Sequence, residues 1–154
     1  MTPDDHAKAL GKLVTNLQSL ETWVRVALWR ASPNRDLDTR LDFDEMPVGT
    51  VLPSNELVDY ADLRTLLRKF NAQMRAQNKS EIDLSLVDLR DALAHGRVMA
   101  TDGGFPLRLY KFSKPDQSGE VSVTFNTCLT STWFNRQLHE LKSAIDIAVR
   151  ESGA

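Results

Sequence analysis

From Leu10 to Leu28, apolar side chains recur in steps that keep to one face of a helix: Leu10, Leu13, Val14, Leu17, Leu20, Val24, Ala27 and Leu28. That period is helical, and Trp23 and Trp29 widen the stripe. The start is marked as well. Thr2 can cap a first-turn amide, Pro3 suits the first helical position, and Asp4 and Asp5 favour the positive end of the dipole. The pattern stops at the breaker cluster Ser32-Pro33-Asn34. A helix this long with one apolar stripe needs partners to cover it.

The 154-residue chain is long enough to supply them within a single domain, residues 1–154. The lone Cys128 excludes a disulfide framework within one chain and fits a reducing compartment. The N-terminus is acidic where a signal peptide is basic, and no apolar run reaches membrane-spanning length. The chain therefore reads as cytoplasmic, without a membrane partner. A formal net charge of -2 gives no global attraction to nucleic acid, so RNA binding would need a local patch.

The segment after the first helix is acidic, with Asp36, Asp38, Asp42, Asp44 and Glu45 around Leu37, Leu41 and Phe43. It lacks the Gly and terminal Glu of a calcium loop and reads as a solvated connection. A second helix is expected after Pro53, capped by Ser54, with Leu57, Tyr60, Leu63, Leu67, Phe70 and Met74 as its seam. Arg64, Arg68, Arg75 and Lys79 form a basic row on another face. That row is either a solvated surface or a stripe that tracks RNA phosphates. A third helix is expected from Ser80 to Asp102-Gly103-Gly104, with Ile82, Leu86, Leu89 and Leu93 inward. Two strand-like runs, 106–112 and 120–126, flank the turn composition of 114–119, so a hairpin insertion at about 106–126 is expected. A last helix opens near Thr130 or Ser131 and turns Phe134, Leu138, Leu141, Ile145 and Ala148 inward. The sum is an all-α bundle of about four to five helices with a small hairpin between the last two long ones.

The chemistry concentrates in Leu89-Arg90-Asp91-Ala92-Leu93-Ala94-His95-Gly96-Arg97. Histidine can give or take a proton near neutral pH. Arginine offers a fixed fork of donors to phosphate oxygens. Together, Arg90 and His95 could cleave RNA without a metal. His95 would move the proton of a 2′-hydroxyl or leaving oxygen, and Arg90 would stabilise charge developing on the phosphate. Residues five apart on an α-helix diverge by about 140°, so one copy leaves the pair split. A second copy across a two-fold axis would complete it. Asp91 shares a face with His95 and could fix its tautomer. The structural alternative is an ordinary helix ending, with imidazolium at the negative pole and Gly96 in a left-handed cap.

Arg90-Asp91-Ala92-Leu93-Ala94-His95 resembles the Arg-polar-x-x-x-His signature of the HEPN (higher eukaryotes and prokaryotes nucleotide-binding) superfamily. The second position of that signature is commonly Asn, Asp or His, so Asp91 fits. The resemblance implies a helical bundle and a metal-independent endoribonuclease that acts as a homodimer with facing motifs. It implies catalytic roles for Arg90, His95 and Asp91 and an RNA substrate, with Arg97, Arg64, Arg68 and Arg75 as RNA-binding candidates. It also implies a toxin or antiphage effector, with an antitoxin or regulatory protein as partner. Other members keep the bundle as non-catalytic interaction or nucleotide-binding modules, the alternative reading here. Toxins paired with a nucleotidyltransferase antitoxin carry tyrosine two positions after the histidine. Arg97 stands there, so regulation through that tyrosine is not expected; Arg97 either contacts phosphate or lies at a solvated helix end.

No cofactor or metal site is expected. His6 and His139 have no Cys or His at ligand spacing, and Gly103-Gly104 lacks the Lys and Ser/Thr of a phosphate-binding loop. Nothing in the sequence marks Cys128 as an activated nucleophile. The tryptophans and phenylalanines read as core and interface rather than as a base-stacking platform.

Overall fold

A computed structural model describes residues 1–33 and 46–153. The acidic stretch from Asp36 to Glu45 lies outside the described residues. Those described form α1 (Pro3–Ala31), α2 (Leu63–Ala76), α3 (Ser85–His95), β1 (Arg97–Thr101), β2 (Gly104–Phe112), β3 (Val123–Cys128) and α4 (Ser131–Ser152). The strands make one antiparallel sheet in the order β1-β2-β3. The fold is thus mixed α/β, and the expected all-α bundle with a hairpin between its last two helices is corrected. Residues taken as the end of the third helix are a strand: Arg97, Val98 and Met99 pair with Tyr110, Leu109 and Arg108.

The first helix begins as its sequence dictates. Thr2 accepts from the Asp5 amide, and the Asp5 carboxylate accepts from the Thr2 amide, closing a capping box. Leu13, Leu17, Leu20, Val24, Ala27 and Leu28 are buried, whereas Val14 at the edge of the stripe is exposed. Helix α4 is capped by Thr130 and ends on Gly153 in the left-handed region (φ 68°). Helices α1 and α4 pack side by side in parallel. The His6 ring meets the Phe134 ring near both N-termini, and Arg30 donates to the Ser152 carbonyl near both C-termini. A parallel pair cannot be joined by a short turn, so α2, α3 and the sheet form the crossover.

The second helix starts later than its apolar seam suggests. Asn55 and Asp59 hold local turns in the preceding segment, and Asp62 caps α2 through the Thr65 amide at 2.7 Å. Arg25 clamps this segment to α1. Its guanidinium bonds the Asp59 carboxylate at 2.7 Å and the Ala61 carbonyl at 2.6 Å. Tyr60, expected in the seam, is fully exposed.

Asn71 sets where α3 begins. Its buried amide donates to the Ile82 carbonyl at 2.7 Å and accepts from the Ile82 amide at 2.9 Å. Helix α3 therefore opens at Ser85 rather than at Ser80, and no side chain caps it. Leu86, Val87, Leu89 and Ala92 are buried, and Leu93 is half-buried. On the sheet, Leu109 is fully buried, and Leu107 and Phe125 pack against the core.

Candidate functional site

Helix α3 ends at His95, and the chain turns straight into β1 through Gly96. Gly96 has φ -76° and ψ 172°, so it is extended and not a left-handed cap. Its role is space. A side-chain Cβ there would stand 2.2 Å from the Ala92 carbonyl oxygen and 2.8 Å from that of Tyr110. The end of the helix and the central strand are thereby pressed together at the residue after His95.

Arg90 and His95 diverge on this helix as their spacing requires. Both reach solvent: the Arg90 side chain keeps 43% of its accessible surface and His95 is exposed. Among the described residues, no hydrogen bond or ion pair holds the His95 ring. Asp91 does not orient it. The Asp91 carboxylate lies 3.4 Å from the Arg90 guanidinium and 3.6 Å from Lys111 Nζ on β2. The expected Asp91–His95 hydrogen bond is thus replaced by a bridge from helix to sheet. Arg90 also borders a groove of about 350 Å³ between α1 and α3, with Val14, Leu93 and Ala94 on its apolar side.

Arg64, Arg68 and Arg75 of the basic row share one face of α2, with Lys79 beyond its end, and the row is largely neutralised. Arg64 is tied to Asp88 at 2.8 Å and Arg75 to Glu81 at 2.7 Å. Lys79 is tied to Glu151 at 2.5 Å. Arg68 is exposed and has no such partner among the described residues. Arg97 is not at a helix end. It is the first residue of β1, and its guanidinium carbon sits 5.5 Å from the centre of the Phe112 ring.

That contact belongs to a cluster the sequence reading missed. Strand alternation puts Leu107, Leu109 and Lys111 on the helix-facing side of β2, and Arg108, Tyr110 and Phe112 on the outer side. Cross-strand pairing adds Arg97 and Met99 from β1 and Asn126 and Cys128 from β3 to that outer face. The Tyr110 and Phe112 rings lie nearly parallel, 15° apart in plane, with centres 6.3 Å apart. Arg108 sits 6.0 Å from the Tyr110 ring centre and donates to Asn126 at 3.0 Å. The legible signal was aromatic residues in phase with an arginine on the side of a strand opposite its leucines.

Elsewhere, His6 is buried at 8% exposure, edge-on to Phe105 and Phe134 with ring centres at 5.9 and 5.5 Å. Its Nδ1 has no hydrogen-bond partner, and burial lowers its pKa from the usual 6.5. No described helix is long and apolar enough to cross a membrane. The chain matches no protein-family model, no curated protein and no solved structure.

Proposed function

We propose that this chain is a metal-independent endoribonuclease of HEPN type whose site is completed by a second copy across a two-fold axis. The observation that carries the reading is the end of α3: an exposed His95 ring that no protein group occupies, five residues after a solvent-reaching Arg90. The apolar rim of the neighbouring groove, with exposed Val14 and Ala94 and half-buried Leu93, supports a protein contact beside the motif.

In the proposed reaction, one His95 takes the proton from a ribose 2′-hydroxyl. The oxygen attacks the adjacent phosphorus as the bond to the 5′-oxygen breaks. The second protomer's His95 gives a proton to that leaving oxygen. The products are a 2′,3′-cyclic phosphate and a 5′-hydroxyl, with no water consumed. The two Arg90 guanidiniums stabilise the charge that builds on the non-bridging oxygens. Asp91 acts as a positioning residue for Arg90 and ties the helix to Lys111. A toxin or antiphage role, held in check by an antitoxin or regulatory protein, is the biological setting we propose.

A second reading, a non-catalytic interaction or nucleotide-binding module, draws on one observation: Asp91 already neutralises part of the Arg90 charge. Incubation of total RNA with the protein in EDTA separates the two. Cleavage by wild type, lost in His95→Ala and in Arg90→Lys, is the expected result. Arg90→Lys fails because a point charge replaces the fork. A fully 2′-deoxy substrate should survive intact, since it lacks the nucleophile. Absence of cleavage by wild type, or unchanged cleavage by His95→Ala, would leave the binding-module reading.

A further inference from the structure

We propose that the outer face of the sheet is a stacking platform for single-stranded RNA, which Tyr110 and Phe112 bind through base faces and Arg97 and Arg108 through phosphates. The choice of RNA rests on the ribonuclease reading; the platform itself stands on the geometry below.

The two rings occupy alternate positions of the central strand, so they share a face and are held nearly parallel, 6.3 Å between centres. Neither is part of the buried core, and both keep partial exposure. Rings needed only for folding would point the other way, where Leu107, Leu109 and Phe125 meet the helices. Neighbouring, partly exposed aromatic rings on an open sheet suit unstacked bases, because every base offers a π-face.

The charge on this face is of one sign. Its strand positions carry Arg97 and Arg108, and none of the three strands contains Asp or Glu, although the whole chain carries -2. No carboxylate is paired with Arg97 or Arg108 among the described residues; they meet rings, the Asn126 amide oxygen and the Cys128 sulfur. Guanidinium carbons 5.5 and 6.0 Å from the ring centres are at the outer limit of a cation–π contact, so an incoming base can displace them at little cost. The freed donors then face the sugar-phosphate chain. Duplex RNA does not fit, since its bases are already stacked and its narrow major groove keeps them from side chains.

The platform also lies next to the proposed chemistry. Arg97 follows His95 by two residues, and the intervening Gly96 packs on the backbone of Tyr110. Tyr110 and His95 thus flank the same helix-to-strand junction.

Binding of a labelled single-stranded RNA to the full chain carrying His95→Ala, which prevents turnover, tests this by anisotropy. Tyr110→Leu and Phe112→Leu should each weaken binding roughly five- to a hundredfold, while Tyr110→Phe, which keeps the ring, stays close to the parent. Duplex RNA of the same sequence should bind at least about tenfold more weakly. The proposal would be overturned by unchanged affinity in both leucine variants when thermal unfolding shows them folded, by equal binding of duplex, or by tighter binding of the deoxy strand. A leucine variant that changes oligomeric state without losing RNA would also overturn it and assign the face to a second copy. Cleavage by wild type with no effect of the leucine variants on binding removes the platform and leaves the ribonuclease reading. Ring-dependent binding without any cleavage does the reverse.

Discussion

The end of α3 and the outer face of the sheet meet at Gly96 and solve the same problem in opposite ways. On the helix, Arg90 and His95 point in different directions, because each residue turns the next by about 100°. On the sheet, a period of two and cross-strand pairing bring Arg97, Arg108, Tyr110, Phe112 and Asn126 onto one side. The helix end can present a proton carrier but cannot surround a phosphate alone. The sheet gathers aromatic and cationic side chains but offers no histidine. The division of labour we propose puts reaction at the helix end and substrate binding on the sheet.

The most disruptive way to break this division is at the junction itself. Gly96→Ala forces a Cβ into two backbone carbonyls and should destabilise the fold by at least about 1–3 kcal/mol, read by chemical denaturation. A folded Gly96→Ala protein with wild-type stability would mean that helix and sheet are not pressed together there. Asn71→Leu comes next. It strips the Ile82 amide and carbonyl of their buried partner, for about 1–3 kcal/mol, and should loosen α3 relative to α2. Faster hydrogen exchange at Ile82 is the accompanying sign; an unchanged exchange rate would contradict the latch.

A smaller effect compares the two arginine sets. Arg97→Gln with Arg108→Gln should flatten the dependence of RNA affinity on salt by roughly one unit of slope per lost phosphate contact. Arg64→Gln with Arg75→Gln should flatten it less, because Asp88 and Glu81 already hold those charges. The reverse ranking would move the RNA path to α2.

The smallest expected effect is a pH dependence from His6, beneath the β1–β2 turn. Its folded pKa is lowered by burial. Below about pH 6.5, the unfolded chain takes up a proton that the folded state resists. Stability is therefore full above that pH and declines as pH falls toward the lowered folded value. His6→Leu should flatten the part of the unfolding profile due to this residue; a profile of unchanged slope would assign it elsewhere.

The parts of this molecule legible in its sequence are those governed locally. Thr2 and Thr130 cap the helices that follow them, and the turn at 114–119 falls between strands as composition indicates. What was not legible depends on distant partners. Leu57 and Tyr60 extend the apolar period of α2, yet Arg25 from α1 holds their segment in turns. Residues 97–101 contain no proline or glycine to end a helix, and only pairing with β2 makes them a strand. Arg90 and His95 could be singled out by spacing, whereas Asp91 meets, besides Arg90, Lys111 from another element. The aromatic platform was hidden for the same reason: its second arginine comes from the strand that looked helical.

Cleavage of single-stranded RNA in EDTA, followed against RNA concentration, tests the division most directly. The account predicts that His95→Ala loses the maximal rate and keeps the half-saturating concentration of binding. It predicts that Tyr110→Leu raises that concentration roughly five- to a hundredfold and lowers the maximal rate far less. Loss of maximal rate in Tyr110→Leu with unchanged affinity, or wild-type cleavage by His95→Ala, would contradict it.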